Sequence, residues 1–198
     1  NDTEKLTVLQ SLAFMSQEND SLDQASQYIA QARAIAPRNT LLLQKQAIIA
    51  GMMGNKAEAA LLARELTSID PSPQNRAILA NSLFATGQFA QAAEAYAQLT
   101  DNNSQMLFNA GLSFAGAHEY ARAAQYLEKY IQDIAPRQSS EGLLALGNVY
   151  TSMGEGAQAA RAYSQYLGMA TKPHQKAAAL LALGNAYAAA GDAQKAYE

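Results

Sequence analysis

Histidines, tyrosines and carboxylates are the side chains of this 198-residue sequence able to move protons or hold ions, and their spacing argues against either. His118 and Glu119 read as a turn between helices, and His174 follows Pro173 in what reads as a loop. The two histidines fall in different repeat units, neither has a nucleophile pattern beside it, and no catalytic triad is supported. Cysteine is absent, so two histidines alone leave no ligand set for zinc, haem or an iron–sulfur cluster. Gly154-Glu155-Gly156 is a lone turn without the strand that precedes a phosphate-binding loop. Tyr126, Tyr130, Tyr163 and Tyr166 recur at helical spacing, and so do Tyr150 and Tyr187. A packing stripe is the default for such rings, and a sugar-stacking ladder is the sharper alternative. The sequence therefore predicts no catalytic residue, no cofactor and no metal.

The elements carrying these side chains are helical. Of the 198 residues, 43 are alanine. Hydrophobic residues make up 49% and charged residues only 16%, against about 25% in an average soluble domain. Alanine is the best helix former and the smallest side chain that packs one helix on another. With 14 Lys+Arg against 17 Asp+Glu the formal charge is −3, and no basic face is available for nucleic acid. No apolar run approaches the ~18–20 residues that span a bilayer. The opening Asn-Asp-Thr-Glu-Lys lacks the apolar core of a signal peptide.

Internal repetition is the strongest signal. Leu143–Tyr150 reads LLALGNVY and Leu180–Tyr187 reads LLALGNAY. In the same frame a small residue falls at Ala13, Ala47, Ala80, Gly111, Gly147 and Gly184. Twelve residues after each stands an alanine: Ala25, Ala59, Ala92, Ala123, Ala159 and Ala196. The fourth position of each unit is Leu9, Leu43, Arg76, Leu107, Leu143 and Leu180, apolar except in the third. The fifteenth is Asp20, Gly54, Gly87, His118, Gly154 and Gly191, where glycine suits the positive φ that often ends a helix. Pro37, Pro71, Pro136 and Pro173 mark unit boundaries, because proline cannot continue a helix. Asp101-Asn102-Asn103-Ser104 reads as a connection that caps the next helix through Ser104.

This pattern resembles the tetratricopeptide repeat, a 34-residue helix–turn–helix unit, best in the unit carrying Leu143, Leu146, Gly147, Tyr150, Ala159 and Tyr163. The resemblance implies an all-α fold, a right-handed α-solenoid of about six repeats. The units run over 6–39, 40–72, 73–103, 104–139, 140–176 and 177–198. The last is incomplete at Glu198, so the chain reads as a fragment of a longer array. A longer loop around Thr171–Lys176 is expected to bend it. The family's tryptophan is absent throughout.

The resemblance also implies a function. First helices of successive units line a concave groove that holds a protein or peptide segment. The groove residues carried onto this sequence are Gln44, Asn81, Phe84, Phe108, Asn109, Asn148 and Asn185. They are amide-bearing or apolar; a carboxamide can pair with a peptide backbone, and the aromatics can anchor apolar side chains. In alanine and glutamine richness, low charge and lack of cysteine the sequence is also similar to the periplasmic repeat region of bacterial exopolysaccharide exporters, the outer-membrane proteins that export cellulose and similar polymers. That similarity implies a periplasmic setting, with polysaccharide-synthesis or export components as partners. The alternatives are a cytosolic adaptor and the repeat region of an enzyme whose catalytic domain lies elsewhere. No nucleic acid partner and no direct membrane insertion are expected.

One subclass of the family grips a chaperone's C-terminal carboxylate with Lys, Asn and Arg. Asn81 and Asn109 are the nearest match here, and Ala77, Glu141 and Ala145 occupy the cationic places. Titration with an acidic peptide bearing a free C-terminus should therefore give no binding at micromolar concentrations. Micromolar affinity would contradict the assignment.

Overall fold

The computed structural model describes residues 1–101, 103–134 and 139–197. Pro136, Asn102 and Glu198, read above as boundary, connection and stopping point, lie outside the described residues. All regular structure among the described residues is helical, as the sequence predicts. The helices are α1 (Asp2–Glu18), α2 (Leu22–Ile35), α3 (Thr40–Met52), α4 (Lys56–Ile69), α5 (Pro73–Ala85), α6 (Phe89–Ala97), α7 (Ser104–Gly116), α8 (Tyr120–Asp133), α9 (Ser140–Ser152), α10 (Gly156–Met169), α11 (Pro173–Ala189) and α12 (Ala193–Tyr197). They fall into two compact units, Asn1–Ala95 and Tyr96–Glu198. In the first, α2 packs on α1 and α3, and α4 on α3 and α5. In the second, α8 packs on α7 and α9, and α10 on α9 and α11. Each unit is thus built of helical hairpins stacked on their neighbours in sequence.

Local chemistry sets the helix ends. The Asn39 side chain accepts hydrogen bonds from the Leu41 and Leu42 N–H groups at 3.0 and 3.2 Å and caps α3. Pro73 and Pro173 occupy first turns, where a missing N–H does no harm. The turns inside the hairpins carry a left-handed residue: Gly54, Gly87, Gly154 and Gly191 with φ of 75–80°, and Asp20 and His118 with φ of 55 and 62°. Between α4 and α5 the buried Asn75 amide donates to the Asp70 carboxylate at 2.7 Å and to the Asp70 carbonyl at 3.0 Å. This knot, beside exposed Arg76, replaces the apolar contact of the third unit.

Helices α3, α5, α7 and α9 begin at Thr40, Pro73, Ser104 and Ser140. Local readings need correction at both ends of the chain and at the start of α7. The first helix begins at Asp2, because Asn1 and Glu4 close a reciprocal cap there. The helix expected from residue 177 begins at Pro173, where the Gln175 side chain accepts from the Lys172 N–H at 3.4 Å. His174 is therefore in the first turn of α11 rather than in a loop. The connection expected around Thr171–Lys176 shortens to Ala170–Lys172. The cap of α7 is Asn103, which accepts from the Met106 N–H at 3.3 Å, whereas the Ser104 hydroxyl donates to Asp133.

The repeated small residues form the hairpin contacts. Ala25, Ala92, Ala123 and Ala159 are fully buried, Ala59 nearly so, and Ala196 half-buried. On the facing helices Ala13, Ala47, Ala80, Gly111 and Gly147 are buried too. A Cβ on Gly147 would lie 2.5 Å from the Tyr163 ring, and one on Gly111 would lie 2.7 Å from Leu127. Larger side chains fill the space around these contacts. Ile29, Leu42 and Ile49 join the alanines of α1 and α2, and Leu43, Leu62 and Leu66 join those of α3 and α4. Full burial of each such side chain stabilises the fold by roughly 1.5–3 kcal/mol.

Gly156, at the start of α10, meets backbone rather than side chain. A Cβ there would lie 2.6 Å from the Ala190 nitrogen and 2.8 Å from the Ala186 carbonyl oxygen. Gly168, in the same helix, has open space around it. Gly156→Ala should therefore destabilise the protein by about 1–3 kcal/mol through overpacking. Gly168→Ala should stabilise it by up to about 1 kcal/mol through helix propensity. Chemical denaturation of both variants checks this, and equal midpoints would contradict the packing at Gly156.

Candidate functional site

The helices that open each hairpin are buried on the sides facing their neighbours and leave one face uncovered. In the first unit this face is apolar. On α3, Ile48 and Met52 stand one turn apart and are 42% and 57% exposed. They border a cleft of about 370 Å³ between α3 and α5, floored by Ala59 of α4 and lined across from them by Ile78 and Asn81. Lys56 is the charged residue of this lining and has no ion pair among the described residues. Phe84, on α5, is partly exposed and meets Phe89 edge-on, with ring centroids 5.3 Å apart. Gln44 is half-buried one turn before Ile48 and does not line the cleft.

The uncovered faces of the second unit carry more amides. Phe108 is half-buried on α7, its ring 4.9 Å from that of Tyr130, so much of its surface is already engaged in packing. Beside it, the Asn109 side-chain oxygen accepts from the Gln105 amide at 3.0 Å. On α9 the Asn148 side chain is exposed, and its oxygen accepts from the Tyr163 hydroxyl at 2.7 Å. Asn185, on α11, borders a pocket of about 430 Å³ with Leu180, Leu181 and Ala188. Leu180 and Leu181 are 55% and 70% exposed there, although Leu143 at the matching position of α9 is buried.

The proton-active residues of the sequence are placed elsewhere. His118 lies in a turn with its Nδ1 2.8 Å from the Tyr120 hydroxyl, and His174 is exposed on α11. Tyr130, Tyr163 and Tyr166 are buried, which makes them packing residues and closes them to a stacked sugar. Tyr150 donates its hydroxyl proton to Glu128 on α8. Burial first, then the hydrogen bond and charge of Glu128, push the Tyr150 hydroxyl up to about 12; burial also raises Tyr96 to about 12. Among the described residues no group of three or more acidic or histidine side chains is placed to hold a metal ion, and no helix is long and apolar enough to cross a membrane.

Sequence reasoning selected Asn81 for the cleft but missed Met52 and Lys56. Met52 had a signal, four residues after Ile48 on one face of α3; Lys56 had none, because it opens α4 beyond the turn at Gly54. Sequence reasoning also missed the tie between Tyr163 and Asn148, for which spacing alone gives no sign.

A stack of hairpins keyed by small residues at this spacing is what the tetratricopeptide repeat model describes, and that model matches residues 79–139 and 144–198, more than half of the sequence. The chain belongs to the tetratricopeptide repeat family. No curated protein sequence matches it. Solved structures similar to it include residues 41 to the end of MamA from Desulfovibrio magneticus RS-1, with a TM-score of 0.76 and 12% identity, covering 83% of this chain and 94% of that one. PilW, described as a widely conserved type IV pilus biogenesis factor, gives a TM-score of 0.71 at 19% identity over 97% of this chain and 89% of its own. Pseudomonas aeruginosa PilF gives 0.67 at 16% identity over 99% and 89%. At these identities the likeness is one of fold. Tetratricopeptide repeats are scaffolds for protein interaction and are generally non-catalytic.

The tyrosines of this repeat protein predict its alkaline behaviour. Tyr150 and Tyr96 are held neutral up to about 12, above the ordinary value near 10. Their contribution to stability is complete below pH 10 and is lost between about pH 10 and 12, as the unfolded chain ionises first. The melting temperature should therefore fall across that window, and less steeply in Tyr150→Phe. Identical slopes in the wild type and the variant would show that the hydroxyl–Glu128 bond has no such effect.

Proposed function

We propose that the chain holds a segment of a partner protein against the uncovered faces of its hairpin-opening helices, within a larger bacterial envelope assembly such as exopolysaccharide export. The cleft between α3 and α5 carries this reading. Its walls are aliphatic, it is open to solvent, and its volume suits one large apolar side chain of the partner. Gln44, Asn81 and Phe84 in the first unit, and Phe108, Asn109, Asn148 and Asn185 in the second, are the proposed contacts. The envelope setting is supported by the similarity of fold to PilW, a pilus biogenesis factor, and by a composition low in charge and free of cysteine.

A photo-crosslinking residue placed at Ile48 in the cell of origin should trap a protein that fractionates with the envelope. The same residue at Leu61, 70% exposed on α4 away from the cleft, should not. Met52→Glu should lower capture at Ile48 by about tenfold or more, the effect of removing one apolar anchor. Equal trapping from both positions would refute the cleft, and a cytosolic partner would refute the envelope setting.

A further inference from the structure

Five residues after the repeated alanine, α4 and α8 carry long side chains that reach the next hairpin. Glu128 of α8 accepts the proton of the Tyr150 hydroxyl on α9. Arg64 of α4 donates to Gln88 and Gln91, at the entrance to α6, at 2.7 and 2.8 Å. In α10 the same position is Ser164. Tyr187 of α11 stands three residues after Gly184, as Tyr150 stands three after Gly147. The short serine does not reach it, so the Tyr187 hydroxyl lacks the acceptor that Glu128 supplies to Tyr150.

The result is a pocket of about 600 Å³ in the second unit. Arg161, Ser164 and Gln165 line it from one face of α10, Tyr187 from α11, and Asp192 and Lys195 from the turn before α12 and from α12 itself. Asp192 and Lys195 pair at 2.8 Å, and the ammonium lies 5.5 Å from the Tyr187 ring centroid. Lysine thus takes the ring face, and Tyr187 offers the pocket its hydroxyl. Arg161 is exposed. Its guanidinium, the hydroxyls of Ser164 and Tyr187 and the Gln165 amide have no hydrogen bond or ion pair among the described residues.

We infer that this pocket binds an acidic saccharide through the carboxylate of a uronic acid residue. The carboxylate takes the part that Glu128 plays beside Tyr150. It accepts from the Tyr187 hydroxyl and meets Arg161, whose planar fork matches two carboxylate oxygens. The charges of Arg161 and Lys195 exceed that of Asp192 by one, which a single anion balances. Sugar hydroxyls both donate and accept, so they suit the Ser164 hydroxyl, the Gln165 carboxamide and the remaining lone pairs of Asp192. A lone acidic side chain of a protein would engage Arg161 and Tyr187 but leave Ser164 and Gln165 without partners. The site shares no residue with the cleft between α3 and α5 and stands independently of the peptide-binding reading.

The test is an NMR titration of the whole chain with trigalacturonic acid. Binding should saturate at millimolar concentrations or below and shift the Arg161 side-chain and Tyr187 ring resonances. Two other probes separate charge from hydroxyls. The methyl ester of the trimer keeps the hydroxyls without the charge, and a tripeptide of glutamates with blocked ends keeps the charge without the hydroxyls. Each should bind about tenfold or more weakly. Arg161→Ala should weaken binding of the acid trimer about tenfold and Tyr187→Phe about 3- to 10-fold, with melting temperatures nearly unchanged. Ser164→Glu sets a carboxylate of the chain itself beside Tyr187, as Glu128 stands beside Tyr150, and should abolish binding. Absence of saturation in the wild type overturns the inference, as does equal affinity for the ester or full affinity in Arg161→Ala. Blocked glutamates that bind as tightly as the trimer overturn the saccharide and make the pocket a contact for an acidic protein segment.

Discussion

The fold depends on how closely two helices of a hairpin can approach. Alanine or glycine on both sides of each contact removes the side chains that would hold the backbones apart. Ala13 with Ala25, Ala47 with Ala59 and Gly147 with Ala159 are buried at such contacts. Where glycine replaces alanine, the space admits a larger group from the partner helix: Leu127 over Gly111 and Tyr163 over Gly147. The branched and aromatic side chains around these points then bury the area that stabilises each unit. Close approach also explains the composition, since a helix interface made of small residues needs many of them and leaves few positions for charge.

This constraint was legible because it repeats. Six alanines in one frame located the hairpins, and the glycines at the inner turns located most of their corners. What the sequence misplaced was decided by interactions that do not repeat. The cap at Asn1 and Glu4 extends the first helix, the Gln175 bond to the Lys172 backbone starts α11 early, and Asn103 displaces Ser104 as a cap. Each is a single side chain choosing one backbone N–H over another, a choice of about 1 kcal/mol that no periodicity reports.

The candidate contact residues were legible to a different degree. Their helix and position came from the family's pattern, and the structure places all seven on helices that open hairpins. Their surroundings did not come with them. Phe108 looks like a free aromatic in sequence and is partly enclosed by Tyr130, and Gln44 stands outside the cleft its neighbour Ile48 lines. The two units also differ in a way that composition averages out. Aliphatic surface dominates between α3 and α5, while α7 and α9 present amides whose oxygens are already held. An apolar cleft suits a side chain of a partner, whereas a carboxamide can pair with a main chain.

Gly147 joins the packing to the surface. Its missing side chain was first of all a condition for α9 and α10 to lie close together, and on that ground alone alanine would nearly serve, as it does at Ala13 and Ala47. The Tyr163 ring uses the remaining space, and its hydroxyl emerges beside Asn148 and Thr151. A buried ring of the second helix thereby reaches the surface of the first through a gap that exists only because one carbon atom is absent.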